Sequence, residues 1–243
     1  MIKIYLPFLS SLIMILAFSS CRQEEASPIR NVKAGPTLLR VQAGDGPCVS
    51  YTYFLDNQKK SLGSVFTKQV LVSFSDGLST EAEADILAKY EFVKGKNGQL
   101  SSNSAILHNV ELTDGLNCKE VERAMRLLAG EAAITYVAPY FLNEDGLLGI
   151  SNEAIVTVQD GQDAALQQLA TTYRAEVLMQ LSGKTYLVRV DKDSKGNALE
   201  LANFLKNKPG IAHAEPDFVV SLQVSEETTY PVVTRRSRLA LAQ

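Results

Sequence analysis

The chain has 243 residues, 46% of them hydrophobic and 21% charged, with a formal net charge of −3. That length holds one or two compact domains, and the composition is that of a globular rather than a disordered protein. The mildly acidic balance gives no electrostatic reason to bind nucleic acid. With two histidines and three cysteines, no cluster of metal-ligand spacing occurs, and nothing in the residues calls for a cofactor.

Residues 1–20 read as a targeting segment. Lys3 supplies the positive start, and the apolar run 4–18, broken by Pro7 and Ser10-Ser11, is too short for a comfortable membrane span. Phe18-Ser-Ser-Cys21 resembles a bacterial lipoprotein signal, which implies that Cys21 is lipidated and becomes the mature N-terminus. A plain secretory signal cut nearby is the alternative, and either reading takes the protein out of the cytoplasm. The lipoprotein reading implies a place in the cell envelope, anchored to the outer membrane on its periplasmic or outer face. Glu24-Glu25 resembles the acidic signals of surface-exposed lipoproteins in the Bacteroides group, with a solvated linker as the plain alternative. In a disulfide-permissive compartment Cys48 and Cys118 are either bridged or two free buried thiols, because spacing alone does not show that their Cβ atoms meet.

Residues 21–36, polar with two prolines and a glycine, read as a tether. Residues 37–66 form a short β-rich segment. Its apolar stretches 37–42 and 48–55 suit a hairpin across Ala43-Gly-Asp-Gly-Pro47, with 57–64 as a polar connector. From Lys68 onward, Val70, Val72 and Phe74 alternate with Leu71 and Ser73 as in a half-buried strand. Asp76-Gly77 breaks it, and Ser79 with Glu81 and Glu83 opens a helix marked by Ala82, Ile86, Leu87 and Tyr90. A short strand near 91–94, a Gly/Asn/Ser-rich loop 95–103, a strand 105–112 and a turn at Asp114-Gly115 follow. Val121, Met125 and Leu128 mark a second helix that ends at Gly130, and 134–141 closes the unit.

The order then repeats. After a connector 143–149, a strand 154–158 leads to Asp160-Gly161, a helix 164–173, and a hairpin of 176–181 with 184–191 across Ser182-Gly183. A helix carrying Leu199, Ala202, Phe204 and Leu205 stops at Lys208-Pro209-Gly210, and Ile211 begins the last strand. Asp76 answers Asp160, Leu107 answers Leu187, and Pro139-Tyr-Phe141 answers Pro216-Asp-Phe218, a period of about 80 residues. The expectation is an α+β protein of two tandem ferredoxin-like (β-α-β-β-α-β) units, 68–142 and 152–223, preceded by a short β segment and followed by a tail, 224–243.

Enzymatic chemistry finds no footing in the residues. His108 and His213 both fall in predicted strands, and there is no G-x-S-x-G elbow or phosphate-cradling Gly loop. Glu215 and Asp217 flank Pro216, where structural or contact roles suit them better than paired acid–base chemistry.

Pro209-Gly210-Ile211-Ala-His-Ala-Glu215-Pro216-Asp217, placed at the end of this order of elements, resembles the N-terminal prodomain of subtilisin-like serine proteases and the free inhibitors built on it. Residues 152–223 carry the whole pattern. Residues 68–142 carry a degenerate one, with Ala138-Pro139-Tyr140 where the acidic residues should stand, and nothing of the protease's catalytic domain is present. The resemblance implies a non-enzymatic partner of a subtilisin-like serine protease, acting as inhibitor or folding helper. The tail after Glu215-Pro216-Asp217 would enter the protease cleft as an added strand. Val220, Ser221, Leu222 and Gln223 match that tail, and Glu215 and Asp217 match acidic residues that meet helix N-termini of the enzyme. The alternatives are an anchored binding or structural module that kept the fold without inhibiting, and a prodomain remnant with no present activity.

Overall fold

The computed structural model describes residues 47–55, 58–143, 146–221 and 233–235. Four helices and eleven strands appear among them. A hairpin, β1 (Tyr51–Leu55) with β2 (Gln58–Gly63), precedes the other described elements. The first half of the remaining chain is β3 (Gln69–Phe74), α1 (Thr80–Leu87), β4 (Val93–Ser101), β5 (Ile106–Leu112), α2 (Cys118–Ala129) and β6 (Ile134–Asn143). The second half is β7 (Gly146–Val158), α3 (Asp163–Tyr173), β8 (Glu176–Ser182), β9 (Thr185–Arg189), α4 (Ala198–Leu205) and β10 (Ile211–Ser221), and β11 (Val233–Arg235) closes the described chain.

The class is α+β, with antiparallel pairing throughout the described sheets. In the first half the strands lie in the order β6-β3-β5-β4, and in the second in the order β10-β7-β9-β8. Each half therefore sets its fourth strand beside its first, and its third between its first and second. Local signals place the elements. Asp76-Gly77, Asp114-Gly115 and Asp160-Gly161 supply the left-handed backbone that ends each strand, with φ of 83°, 83° and 71° at the glycines. The second helix of each half opens with the same reciprocal cap. Asn117 Oδ1 accepts from the Glu120 N–H and Glu120 returns to the Asn117 N–H, while Asn197 and Glu200 do the same in α4. Each such cap is worth about 1 kcal/mol.

The junction departs from the expectation of two separate sheets. Residues 146–149 of the expected connector are strand, because β7 begins at Gly146 and pairs with β6 through Tyr140↔Gly149, Phe141↔Leu148 and Leu142↔Leu147. One nine-stranded sheet thus runs through both halves. Strand β3 is buried on both faces instead of one: Val70, Leu71 and Val72 are all at 0% exposure, since Leu71 reaches across to β7. Gly149 makes that approach possible. A Cβ there would sit 2.6 Å from Tyr140 Cε1 and 2.8 Å from Leu71 Cδ1, distances no side chain tolerates.

Two further expectations are corrected. Residues 51–55 pair with 58–63, the supposed polar connector, while the partner expected for them, 37–42, lies outside the described residues. The pattern hid β2 because its side chains are exposed apart from Leu62, so the partner strand and not a buried face holds it. Strand β4 extends through the Gly/Asn/Ser-rich stretch to Ser101. It is an outer strand whose register shifts between Val93 and Gly95 and between Lys96 and Gln99, so glycine and polar residues are at home there. Cys48 and Cys118 are bridged, with their Cα atoms 5.8 Å apart.

Replacing Gly149 by Ala should therefore cost about 1–3 kcal/mol, the range for overpacking a closed core. Urea unfolding followed by circular dichroism measures it. Because both halves share the affected core, the loss should appear in one cooperative transition, and two transitions of which only one moves would contradict the shared core.

Candidate functional site

Strand β10 positions the residues expected to meet a partner. Ile211 follows Gly210, whose φ of 84° makes the turn out of α4, and the strand runs along β7 from Ile211↔Val158 to Ser221↔Leu147. The register slips between Pro216 and Phe218, where proline has no N–H for the ladder. Glu215 is half-buried, and its Oε2 lies 3.4 Å from His213 Nε2 on the same strand. Asp217 points inward, at 3% exposure, and its Oδ2 accepts from the Ser151 hydroxyl at 3.0 Å. Only Glu215 of the acidic pair therefore stands at the surface. Val220 is half-buried and pairs with Leu148 on one side and Thr234 of β11 on the other. Ser221 pairs with Leu147 and Val233. Leu222, Gln223 and Cys21 lie outside the described residues.

A buried polar seam beside Asp217 escaped the sequence reading. Ser151, Asn152 and Glu153 interrupt the apolar run of β7, and all three are buried. Glu153 accepts from Ser104 Oγ at 2.8 Å and Asn103 Nδ2 at 2.9 Å, and Asn152 Nδ2 donates to Ser104 Oγ at 2.9 Å. These bonds tie the β4–β5 loop of the first half to the middle strand of the second. Tyr136 of β6 joins them by donating to the Ser151 carbonyl at 2.6 Å, and burial holds its phenol far above the ordinary tyrosine range. Three polar residues inside a hydrophobic strand were the available signal, because a buried polar group needs a partner.

The β1–β2 hairpin forms a strap over the ends of β6 and β10. Its start is held to α2 by the disulfide and by the Val49 N–H, which donates to Glu122 Oε1 at 3.1 Å. Tyr51 then packs on Phe141 and Tyr53 on Phe218, each with ring centroids 5.1 Å apart. Phe141 and Phe218 occupy equivalent positions in the two halves, so tyrosines two residues apart in one strand cover the same place twice. Asn203 Nδ2 of α4 donates to the Thr52 carbonyl at 2.8 Å, and Lys206 Nζ stands 3.1 Å from the Phe54 ring centroid. Each aromatic pair is worth about 0.5–1.5 kcal/mol beyond its area. A cleft of about 280 Å³ opens beside the strap between α2 and residues 191–197, with Tyr51, Glu122, Arg126, Lys192 and Glu200 on its walls. Burial and then the carboxylates of Glu122 and Glu200 push the Tyr51 phenol up to about 12.

The two histidines sit differently. His213 is exposed on β10. His108 is buried on β5 with Nε2 3.7 Å from Glu83 Oε1 of α1, its ring edge-on to Phe74, and Lys96 of β4 closes on Glu83. No serine or cysteine nucleophile is hydrogen-bonded to either ring among the hydrogen bonds of the described residues. No group of three or more His, Cys, Asp or Glu side chains among the described residues could hold a metal ion, and no described helix is long and apolar enough to cross a membrane.

The fold and site define an α+β protein with a largely antiparallel sheet, four described helices and a doubly covered strand end. Neither a family model nor a curated protein matches the chain.

His108 sets a pH dependence. Burial lowers its pKa below the ordinary 6.5, Glu83 opposes that and Lys96 reinforces it. The unfolded chain then takes up this proton at a higher pH than the folded one. Its contribution to stability is full above 6.5 and is lost as the pH falls through the folded value. Unfolding free energies measured across this range should decline toward acid, and His108→Asn should flatten the decline nearest 6.5. An unchanged profile in the variant would show that other groups carry it.

Proposed function

We propose that the protein is a lipid-anchored, non-enzymatic partner of a subtilisin-like serine protease, built from two tandem ferredoxin-like units of the prodomain kind. The observation that carries this reading is the second half itself. Its β-α-β-β-α-β element order and its turn Pro209-Gly210 into Ile211…Glu215-Pro216-Asp217 support the prodomain resemblance, and the strand order β10-β7-β9-β8 is compatible with it. The first half shares the order, with Ala138-Pro139-Tyr140 in place of the acidic segment. Function then rests on the chain after Asp217. Val220 enters an outer apolar pocket, Gln223 the primary pocket with Leu222 beside it, and main-chain bonds from Ser221 and its neighbours supply the rest of the affinity. Glu215 is the acidic group that meets the enzyme surface, whereas Asp217 secures β10 from inside.

The second reading is a non-inhibitory envelope module that kept this fold. One observation favours it: Val219, Val220 and Ser221 are paired on both edges, with β7 and with β11, so an inserting tail must first leave the sheet. Titrating full-length protein in detergent against several subtilisin-like proteases decides between the two. Inhibition that Val220→Asp weakens about ten- to a hundredfold supports the first reading, from the roughly 1.5–3 kcal/mol of a buried apolar anchor. The same change at Asn143 should matter little. Absence of inhibition in every case, with Val220→Asp silent, leaves the second.

The anchor is tested separately. Cys21→Ala should move the protein from the membrane pellet to the soluble fraction after cell disruption, and a variant that stays fully with the pellet would remove Cys21 as the anchor.

A further inference from the structure

We infer that the disulfide-held strap is a redox-sensitive latch on the end of β10, an inference that rests on the tail-binding reading above for its purpose but not for its test. Two rows of contacts meet in β1. On the first half the strap is held covalently at Cys118, by the Val49 N–H on Glu122 and by Tyr51 on Phe141. On the second half, among the described residues, it is held by Tyr53 on Phe218, Asn203 on the Thr52 carbonyl and Lys206 over Phe54, all non-covalent. Phe218 immediately precedes the three residues that pair on both edges of β10, so Tyr53 sits where that strand's end must peel away. Strand β2 adds little, because of its side chains only Leu62 reaches the core.

The bridge is placed for exchange. Cys48 is exposed, whereas Cys118 is buried at 7% and is the first residue of α2. An external dithiol attacks the Cys48 sulfur, and Cys118 departs as a thiolate at a helix N-terminus, where such a charge is favoured. The second thiol of the reductant then breaks the mixed disulfide at Cys48. Two electrons and two protons pass to the protein, leaving two cysteine thiols, and the dithiol becomes a disulfide. The strap then loses its covalent hold, and what remains is a few half-buried contacts.

Hydrogen exchange by mass spectrometry on the oxidised and dithiothreitol-reduced full-length protein in detergent tests the latch. Reduction should speed exchange about tenfold or more in residues 51–63 and also in 216–221, as local opening does, and leave the β8–β9 hairpin unchanged. Tyr53→Ala in the oxidised protein should reproduce the release at 216–221 alone. Acceleration confined to 51–63, or equal acceleration in β8–β9, overturns the latch. Should both segments be released while neither redox form binds any protease, the latch stands and the protease reading falls. Should the protease bind equally well and equally fast in both forms without release at 216–221, the reverse holds.

Discussion

At Gly149 the backbone of β7 closes on the side chains of Tyr140 and Leu71, and much of the architecture follows from that approach. Strands β3, β6 and β7 belong to different halves, yet they converge there because position 149 adds no side chain of its own against Tyr140 and Leu71. An added methyl group would hold β7 off β6 and uncover Leu71. With glycine, the pairing Tyr140↔Gly149 carries the sheet across the junction and gives β3 a second buried face. The apolar cores of both halves become one cluster, from Val70 in the first strand of the sheet to Val219 near its end. Cooperative stability follows from that sharing, since neither half retains its full core alone.

The polar seam and the strap reinforce the same junction in different ways. Along the seam, Glu153 and Asn152 of the second half are held by Asn103 and Ser104 of the first. Such bonds add modest net stability, but separating them in the interior would strand desolvated polar groups, so they specify how the halves meet. The strap works from outside. It joins α2, β6, β10 and α4 through one short strand, and its bridge closes a long stretch of chain, restricting the unfolded state.

These features bear directly on the proposed site. The end of β10 lies at the meeting of the seam, through Asp217, and the strap, through Phe218. A tail used for strand addition must be available, while an unprotected strand end is an aggregation hazard. Pairing with β7 and β11, with Tyr53 packed on Phe218, resolves that conflict in favour of protection.

Element order, helix positions and the three Asp-Gly turns were legible in the residues, because they depend on local chemistry: left-handed glycines, the break at Pro209-Gly210 and apolar residues at helical spacing. The repeated caps Asn117-Cys-Lys-Glu120 and Asn197-Ala-Leu-Glu200 were equally local and would have strengthened the repeat. The extent of β4 and β7, the partner of β1 and the inward turn of Asp217 were not legible. Polar and glycine-rich stretches become strand only when a neighbour offers a ladder, and residues 146–153 acquire theirs from β6 and β10. The sequence by itself determined the two-fold recurrence of helices and turns. Only the tertiary structure decided that the halves share a sheet and core, that Asp217 bonds inward to Ser151, and that Tyr51 and Tyr53 cover equivalent phenylalanines. Those outcomes depend on distances between residues far apart in the chain, and local propensity carries no information about such distances.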